Sequence, residues 1–87
     1  MSYSVELTDN AVQDREKLSQ VIAERIDRKI NWLAENFKQI TPQALTANLA
    51  GLFKLRMGDY RVIYSFNAEL KLITVHKIGH RREIYDI

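Results

Sequence analysis

The residues of this 87-residue chain that could do chemistry are cationic side chains near its C-terminal end. Lys54 and Arg56 alternate with apolar residues, which places both on one face of a predicted strand. Arg61 follows a turn at Gly58-Asp59, and the hairpin brings it beside Arg56. The three cations form a patch two strands wide. Because guanidinium groups bind phosphate through paired hydrogen bonds, the patch predicts binding of a polyanion.

The same cations could instead form a solvated sheet surface, since lysine and arginine on an edge strand prevent unwanted strand pairing. Like charges placed opposite each other on a sheet are unfavourable, however, and such a cluster suggests that an anion binds between them. The tail adds the polar side chains of His80, Arg81 and Arg82. Tyr85 lies in the same polar tail, where a nucleic-acid base could stack on it.

The basic excess lies in the part of the chain that holds these residues. Residues 1–51 carry six Lys or Arg against seven Asp or Glu, and residues 52–87 carry seven against four. Glycine-rich phosphate loops, nucleophile elbows and close pairs of carboxylates are missing from the sequence. Any enzyme chemistry would therefore depend on Lys, Arg, His and Tyr side chains.

Metal chemistry is not expected. The chain has no cysteine and two histidines, so the usual ligands of a structural zinc site are lacking. His76 and His80 are four residues apart on a strand and the turn after it, a spacing that gives them no shared face for a metal. His76 is interpreted as a strand residue without chemistry.

Length and the N-terminal residues indicate one domain, residues 1–87, in the cytoplasm. Residues 1–7 have neither the basic nor the apolar region of a signal peptide. No stretch approaches the roughly 18 apolar residues of a membrane span. A cysteine-free chain also suits a reducing compartment. We therefore expect a soluble protein without a membrane partner.

Hydrophobic periodicity predicts the elements that position the cations. Alternation over residues 2–7 predicts a strand, and Thr8-Asp9-Asn10 supplies the N-cap of a short helix that reaches about Leu18. Ser19 caps a longer helix, which Thr41-Pro42 ends because the residue before proline leaves the α region. Its apolar stripe recurs every three or four residues, at Ile22, Ile26, Ile30, Leu33 and Phe37.

Three strands are predicted after the helices. Residues 52–57 and 60–66 form a hairpin, and a turn at Asn67-Ala68-Glu69 leads into a strand over residues 70–78. Connections this short join antiparallel neighbours, and residues 43–51 are predicted to be a connector. The order β-α-α-β-β-β predicts an α+β fold in which a two-helix hairpin packs on one face of an antiparallel sheet. The other face would be left free for chemistry.

The C-terminal third of the chain resembles a known family. Residues 51–64, GLFKLRMGDYRVIY, are similar to a segment of the toxins of the RelE/ParE superfamily. The closing residues 78–85, IGHRREIY, are similar to the ending of the same toxins. The order β-α-α-β-β-β also resembles the superfamily's fold, the RelE-like microbial RNase fold, across the whole chain.

The resemblance implies a toxin of a type II toxin–antitoxin system that needs no cofactor. A cognate antitoxin protein, encoded beside such a toxin, holds it inactive. RelE-type members enter the ribosomal A site and cut mRNA without a metal, by attack of a 2′-hydroxyl on the adjacent phosphate. ParE-type members share the fold but inhibit DNA gyrase and are not nucleases. The expected function is thus an endoribonuclease (an mRNA interferase), with gyrase inhibition as the alternative.

The resemblance also implies site residues. Lys54 matches a lysine that acts beside the scissile phosphate, as general base or as a stabilising charge. Arg61 and Arg81 would hold that phosphate and stabilise the transition state electrostatically. Arg81, or alternatively His80, would protonate the leaving 5′ oxygen, and Tyr85 would stack on the neighbouring base. The remaining substrate-binding residues are Arg56, His80 and Arg82.

One position departs from the family pattern. Some RelE-type members carry a further lysine two positions before the one matched by Lys54, on the same strand face, and here that position is Leu52. One fewer cation would weaken catalysis and leave a larger share of it to His80. ParE-type proteins usually lack part of the basic set, so its presence here favours the nuclease.

Overall fold

A computed structural model describes residues 2–44 and 51–84 as an α+β fold, which confirms the predicted class. The elements in chain order are β1 (Ser4–Leu7), α1 (Asp9–Glu16), α2 (Gln20–Asn36), a 3-10 turn (Phe37–Gln39), β2 (Gln43–Ala44), β3 (Phe53–Met57), β4 (Tyr60–Asn67), β5 (Leu72–His80) and α3 (Arg81–Ile84). The strands form one sheet in the order β1-β5-β4-β3-β2.

The two predicted N-caps are confirmed. The Thr8 hydroxyl accepts a hydrogen bond from the backbone N–H of Ala11, and the Ser19 hydroxyl accepts one from Ile22. Helix α2 ends at Asn36, five residues before the predicted stop. Asn36 departs from helical geometry, with φ −111° and ψ 13°, and its side-chain amide donates to the carbonyl of Trp32. An asparagine side chain that binds the backbone in this way competes with the helix.

The core lies between α2 and the sheet, as the apolar stripe predicts. Ile26, Ile30 and Leu33 on α2 are buried, whereas Ile22 at the start of the stripe is half-buried. The stripe packs against apolar residues of β3, β4 and β5, namely Leu55, Val62, Tyr64, Ile73, Val75 and Ile78. One face of the sheet is therefore covered by the helices.

The expectation of an antiparallel sheet holds for β2 to β5 but is wrong for β1. Strand β1 pairs with β5 in parallel, with Ser4 opposite Leu72 and Leu7 opposite Val75. The two helices carry the chain across one face of the sheet to β2 and β3 at its other edge. The antiparallel hairpins then return the last strand beside the first, in the same direction.

Two short elements were not expected from the sequence. Gln43 and Ala44, predicted to be part of a connector, pair with β3 as strand β2. Residues 81–84 of the charged tail form the helical turn α3. Both are too short for hydrophobic periodicity to reveal.

Candidate anion-binding site

Strand register places the three predicted cations on one surface. Lys54 is paired with Ile63, and Arg56 is paired with Arg61. Paired residues project to the same face of a sheet. Because the core residues lie at the alternate positions of β3 and β4, this surface is opposite α1 and α2. The surface that carries Lys54, Arg56 and Arg61 is hereafter the open face.

Arg61 is a buried charge on the open face, with 5% of its surface exposed. Its Nη1 donates to the carbonyl oxygens of Gly58, at 2.8 Å, and Tyr60, at 2.9 Å. Its Nε and Nη2 have no hydrogen-bond partner within residues 2–44 and 51–84, and neither atom is sealed from solvent. Burying a charge without a carboxylate partner is costly. The guanidinium is thus anchored at one nitrogen and has two others available to an anion.

Arg81 is tied to the same turn through its backbone. Its N–H donates to the carbonyl of Asp59 at 2.8 Å. Three consecutive carbonyls of the β3–β4 turn, those of residues 58, 59 and 60, therefore bind Arg61 and Arg81. The side chains of Arg81 and Arg82 are exposed. The structure brings the start of α3 to the anchor of Arg61, whereas Tyr85 lies outside the described residues.

Helix α3 covers one end of the open face, which is therefore not wholly free. Ile84 is 2% exposed, although it is not part of the main core. A Cβ added to Gly79 would stand 3.4 Å from Glu83 Oε2 and 3.6 Å from Ile84 Cδ1. Gly79 is paired with Arg61. The missing side chain of Gly79 thus allows α3 to lie close to the sheet beside Arg61.

His80 is not brought to the open face. It is paired with Tyr60, which is paired in turn with Met57, and these positions alternate with Arg56 and Arg61. The His80 and Tyr60 rings meet edge to face, with centroids 5.6 Å apart. His80 borders a cavity of about 410 Å³ whose lining includes Asp14, Lys17 and Ser19 of the α1–α2 region. Among the predicted site residues, His80 therefore lies on the opposite side of the sheet from Arg56 and Arg61.

A β-bulge adds two residues that the sequence analysis missed. Ile63 is paired with Lys77, but Tyr64 is paired with Val75, so His76 is an extra residue of β5. Lys77 consequently projects to the open face. The Nε2 of His76, interpreted from sequence as a residue without chemistry, lies 2.7 Å from Ser65 Oγ.

The sequence did contain a signal of this bulge. Val75 and Ile78 are apolar residues three positions apart, and the structure buries both, with 0% and 3% of their surfaces exposed. Residues three apart in a regular strand would project to opposite faces. Only an irregular strand can direct both to the core, and the irregularity moves the lysine at position 77 to the other face.

Within residues 2–44 and 51–84, no group of three or more His, Cys, Asp or Glu side chains could hold a metal ion. No helix in these ranges is long and apolar enough to cross a membrane.

Comparison with known proteins identifies the fold and the family. A family model described as "ParE toxin of type II toxin-antitoxin system, parDE" matches residues 5–85. The chain belongs to the RelE/ParE family of type II toxins. The family that the C-terminal motifs resemble is thereby confirmed.

Relatives of this RelE/ParE toxin carry Rel names. Toxin RelG of Mycobacterium tuberculosis (strain ATCC 25618 / H37Rv) is 29% identical over 86 residues, which cover 98% of each chain. A crystal structure of the toxin-antitoxin complex RelBE2 from Mycobacterium tuberculosis has a chain that matches with a TM-score of 0.84 and 27% identity, over 93% of each chain. The isolated Escherichia coli RelE toxin matches with a TM-score of 0.76 over 98% of this chain and 93% of its own. At 19% identity, that last likeness shows the fold alone.

Proposed function

We propose that this toxin is an endoribonuclease that cleaves mRNA in the cytoplasm, at the ribosomal A site, and so inhibits translation. The observation that supports this most strongly is the state of Arg61: a buried guanidinium, fixed at Nη1, whose Nε and Nη2 make no hydrogen bond to residues 2–44 and 51–84. Two parallel N–H groups match two oxygens of a phosphate. Arg56, directly opposite, adds a second guanidinium on the same face.

The proposed reaction is a transesterification that needs no covalent enzyme intermediate and no metal. The 2′-oxygen of one nucleotide forms a bond to the adjacent phosphorus, and the bond from that phosphorus to the 5′ oxygen of the next nucleotide breaks. The 2′-hydroxyl loses its proton and the leaving 5′ oxygen gains one. The products are a 2′,3′-cyclic phosphate and a 5′-hydroxyl end. The phosphate carries one negative charge before and after the reaction, and additional negative charge develops on it in the transition state.

Residues of the open face are suited to this charge development. Arg61 would bind the non-bridging oxygens of the scissile phosphate, because donors fixed in advance stabilise a transition state without reorganisation. Lys54, on the neighbouring strand, would accept the proton of the 2′-hydroxyl or stabilise the charge that results. Arg81 would hydrogen-bond the leaving 5′ oxygen, which takes its proton from Arg81 or from water. Tyr85 would stack on the adjacent base, and the exposed Arg82 would bind the RNA backbone.

The placement of His80 changes one of these roles. The sequence analysis left the proton donor open between Arg81 and His80. Because register puts the His80 ring on the helix-covered side of the sheet, Arg81 is the proposed donor. His80 would then contact RNA only if a nucleotide entered the cavity beside the α1–α2 turn.

We also propose that a cognate antitoxin protein binds this toxin. The relative in the RelBE2 complex was solved with its antitoxin. On this chain, Trp32 is 44% exposed, and the Lys29 ammonium lies 4.5 Å from the centre of its ring. The two residues border a cleft of about 250 Å³ between α2 and β3, whose lining includes Ile40 and Pro42. An exposed apolar cleft with a basic rim suits an acidic, amphipathic segment.

Gyrase inhibition is the second candidate function. The observation in its favour is the matching family model, which carries the ParE name. The two functions make different demands on the open face. A nuclease needs the cations to act on phosphate, whereas a protein that inhibits by binding an enzyme would not lose all activity with one guanidinium.

A single experiment distinguishes the two functions. The toxin is added to a translating extract, mRNA 5′ ends are mapped, and supercoiling by gyrase is measured in parallel. The proposal expects new 5′ ends at fixed codon positions, lost in Arg61→Ala and Arg81→Ala and kept in Lys38→Ala, whose lysine is exposed on the helix side. Intact mRNA together with loss of supercoiling would establish the gyrase function instead.

A further inference from the structure

The β-bulge at His76 directs Lys77 to the open face, and hydrogen bonds from two neighbouring elements hold this bulge in place. The carbonyl of His76, the extra residue of the bulge, accepts hydrogen bonds from Thr8 Oγ1 at 3.3 Å and from Asn10 Nδ2 at 3.1 Å. The ring of His76 is bound to Ser65 on β4. The start of α1 and strand β4 thus fix the bulge that precedes Lys77. Bulges commonly serve to redirect a side chain next to a functional site.

Lys77 lies in one row with Lys54. Both are paired with Ile63, which stands between them on the central strand β4. Neighbouring strands are about 4.8 Å apart, so the two lysine backbones are separated by roughly 10 Å. Lysine side chains that flank a shared neighbour at this distance can bind two adjacent phosphates of one extended strand. The next row holds Arg56, Arg61 and Gly79.

The ammonium of Lys77 makes no salt bridge to any residue of the ranges 2–44 and 51–84. Its side chain is half-buried, and the salt bridge that these ranges do contain joins Arg15 and Asp27, on the helix side. Two carboxylates do approach the open face. Glu6 on β1 accepts a hydrogen bond from Thr74 Oγ1 at 3.3 Å, and Glu83 lies by Gly79.

The position of Lys77 also bears on the departure from the family pattern at Leu52. The family resemblance leads one to expect a second strand lysine where this chain has Leu52. Lys77 supplies a second lysine on the open face from a different strand. The two lysines then lie on either side of Ile63, on β3 and β5, instead of on one strand.

We propose that Lys77 binds the phosphate next to the scissile one, so that single-stranded RNA crosses β3, β4 and β5 between Lys54 and Lys77. This inference rests on the proposed nuclease function, because it extends the same site by one nucleotide. His76 and Ser65 act as positioning residues for Lys77 and are not required to touch the RNA.

The test is the salt dependence of RNA binding. The probe is a fluorescent single-stranded oligonucleotide in which every 2′-hydroxyl is methylated, so that it binds without being cut. Each phosphate contact on a single strand contributes about 0.7 to the slope of log affinity against log salt. Lys77→Gln should therefore make the slope shallower by about 0.7 and weaken binding at low salt. Lys77→Arg should restore the slope.

Lys38→Gln is the matched control, since it removes the same charge from the helix side. An unchanged slope in Lys77→Gln, or an equal change in Lys38→Gln, overturns the role of Lys77. Cleavage of unmodified mRNA is measured on the same proteins. If wild-type toxin binds the probe but does not cut mRNA, the proposed nuclease function is wrong. The salt slope of Lys77→Gln then still shows whether Lys77 binds a phosphate. Wild-type toxin that does not bind the probe overturns the role of Lys77, and the cleavage of mRNA in the translating extract then tests the nuclease by itself.

Discussion

Arg56 and Arg61 face each other across β3 and β4, on the surface that the two long helices leave uncovered. Arg61 is fixed by the carbonyls of Gly58 and Tyr60, and Arg56 is exposed. Directly opposed like charges destabilise a sheet. An anion bound between them would remove this repulsion, as the proposed function requires of a phosphate.

Loss of the Arg61 guanidinium should abolish most of the cleavage activity. Removing one fixed donor from a site of transition-state charge typically costs 10²–10³ in rate, so we expect a loss of about 100-fold or more in Arg61→Ala. Arg61→Lys keeps the charge but cannot form two parallel hydrogen bonds, and it should recover only part of the loss. Single-turnover cleavage rates measure both effects.

The control for Arg61 must separate chemistry from folding, because its Nη1 also holds the β3–β4 turn. Circular dichroism and thermal unfolding show whether each variant folds. A folded Arg61→Ala protein that cuts RNA within about threefold of the wild-type rate would be incompatible with the role given to Arg61.

Docking of α3 should depend on the absence of a large side chain at position 79. Ala at this position brings a Cβ to ordinary contact distance of Glu83 and Ile84, so Gly79→Ala should leave α3 in place. The larger side chain in Gly79→Val would displace it. Hydrogen exchange of the Arg81 amide, which is bonded to Asp59, should become much faster in the valine variant alone. Equal exchange in all three proteins would show that Gly79 does not control α3.

The salt bridge between the helices should make stability depend on acidic pH. Arg15 Nε and Nη2 donate to the two oxygens of Asp27, at 2.9 and 2.5 Å. These hydrogen bonds lower the pKa of Asp27 from its ordinary 3.8. Because the folded pKa is the lower one, the stabilisation is present above about pH 4 and is lost as the pH falls through the folded value.

Asp27→Asn tests this linkage. Both side chains are about 40% exposed, at 39% and 41%, so solvent weakens the pair and we expect a loss of only about 0.5 kcal/mol at pH 7. Urea unfolding at pH 7 and pH 2 should show the difference between wild type and variant at the higher pH and its disappearance at the lower. A difference that persists unchanged at pH 2 would mean that the carboxylate charge is not responsible.

Tyr64 should limit stability at alkaline pH. Burial raises the pKa of its phenol to about 12. The folded pKa lies above the unfolded value of about 10. The contribution of Tyr64 to the free energy of unfolding is therefore fully present below pH 10 and decreases as the pH rises towards 12. At pH 11 the loss should be about 1 kcal/mol.

Tyr64→Phe should abolish that loss and have little effect at neutral pH. Burial alone raises the pKa of this phenol, so the substitution removes the ionisable group and keeps the buried ring. The free energy of unfolding is measured for both proteins at pH 7 and pH 11. Parallel alkaline destabilisation of the two would assign the effect to other groups.

Sequence periodicity was sufficient for the parts of the fold that are long and regular. The stripe of α2 and the caps at Thr8 and Ser19 were predictable because each follows from local geometry. The pairing of β1 was not, because it depends on where the last strand returns. The terminal turn α3 and strand β2 are too short to have a period.

The candidate site was predictable only where the strands are regular. The convergence of Lys54, Arg56 and Arg61 follows from alternation along a hairpin. Lys77 was missed, and His80 was assigned to the wrong side of the sheet, because the bulge at His76 exchanges the faces of the residues after it. The three-residue spacing of the apolar residues Val75 and Ile78 is the sequence feature that indicates this exchange.

The most direct test of the account is to observe the arginine side chains while RNA binds. Nitrogen-15 NMR spectra of the arginine Nε–H groups are recorded as the 2′-O-methylated single strand is added. The account predicts shifts at Arg61 and Arg56 and none at Arg28, which is exposed on α2. Shifts at Arg28 with Arg61 and Arg56 unchanged would contradict the claim that the open face binds the phosphate backbone.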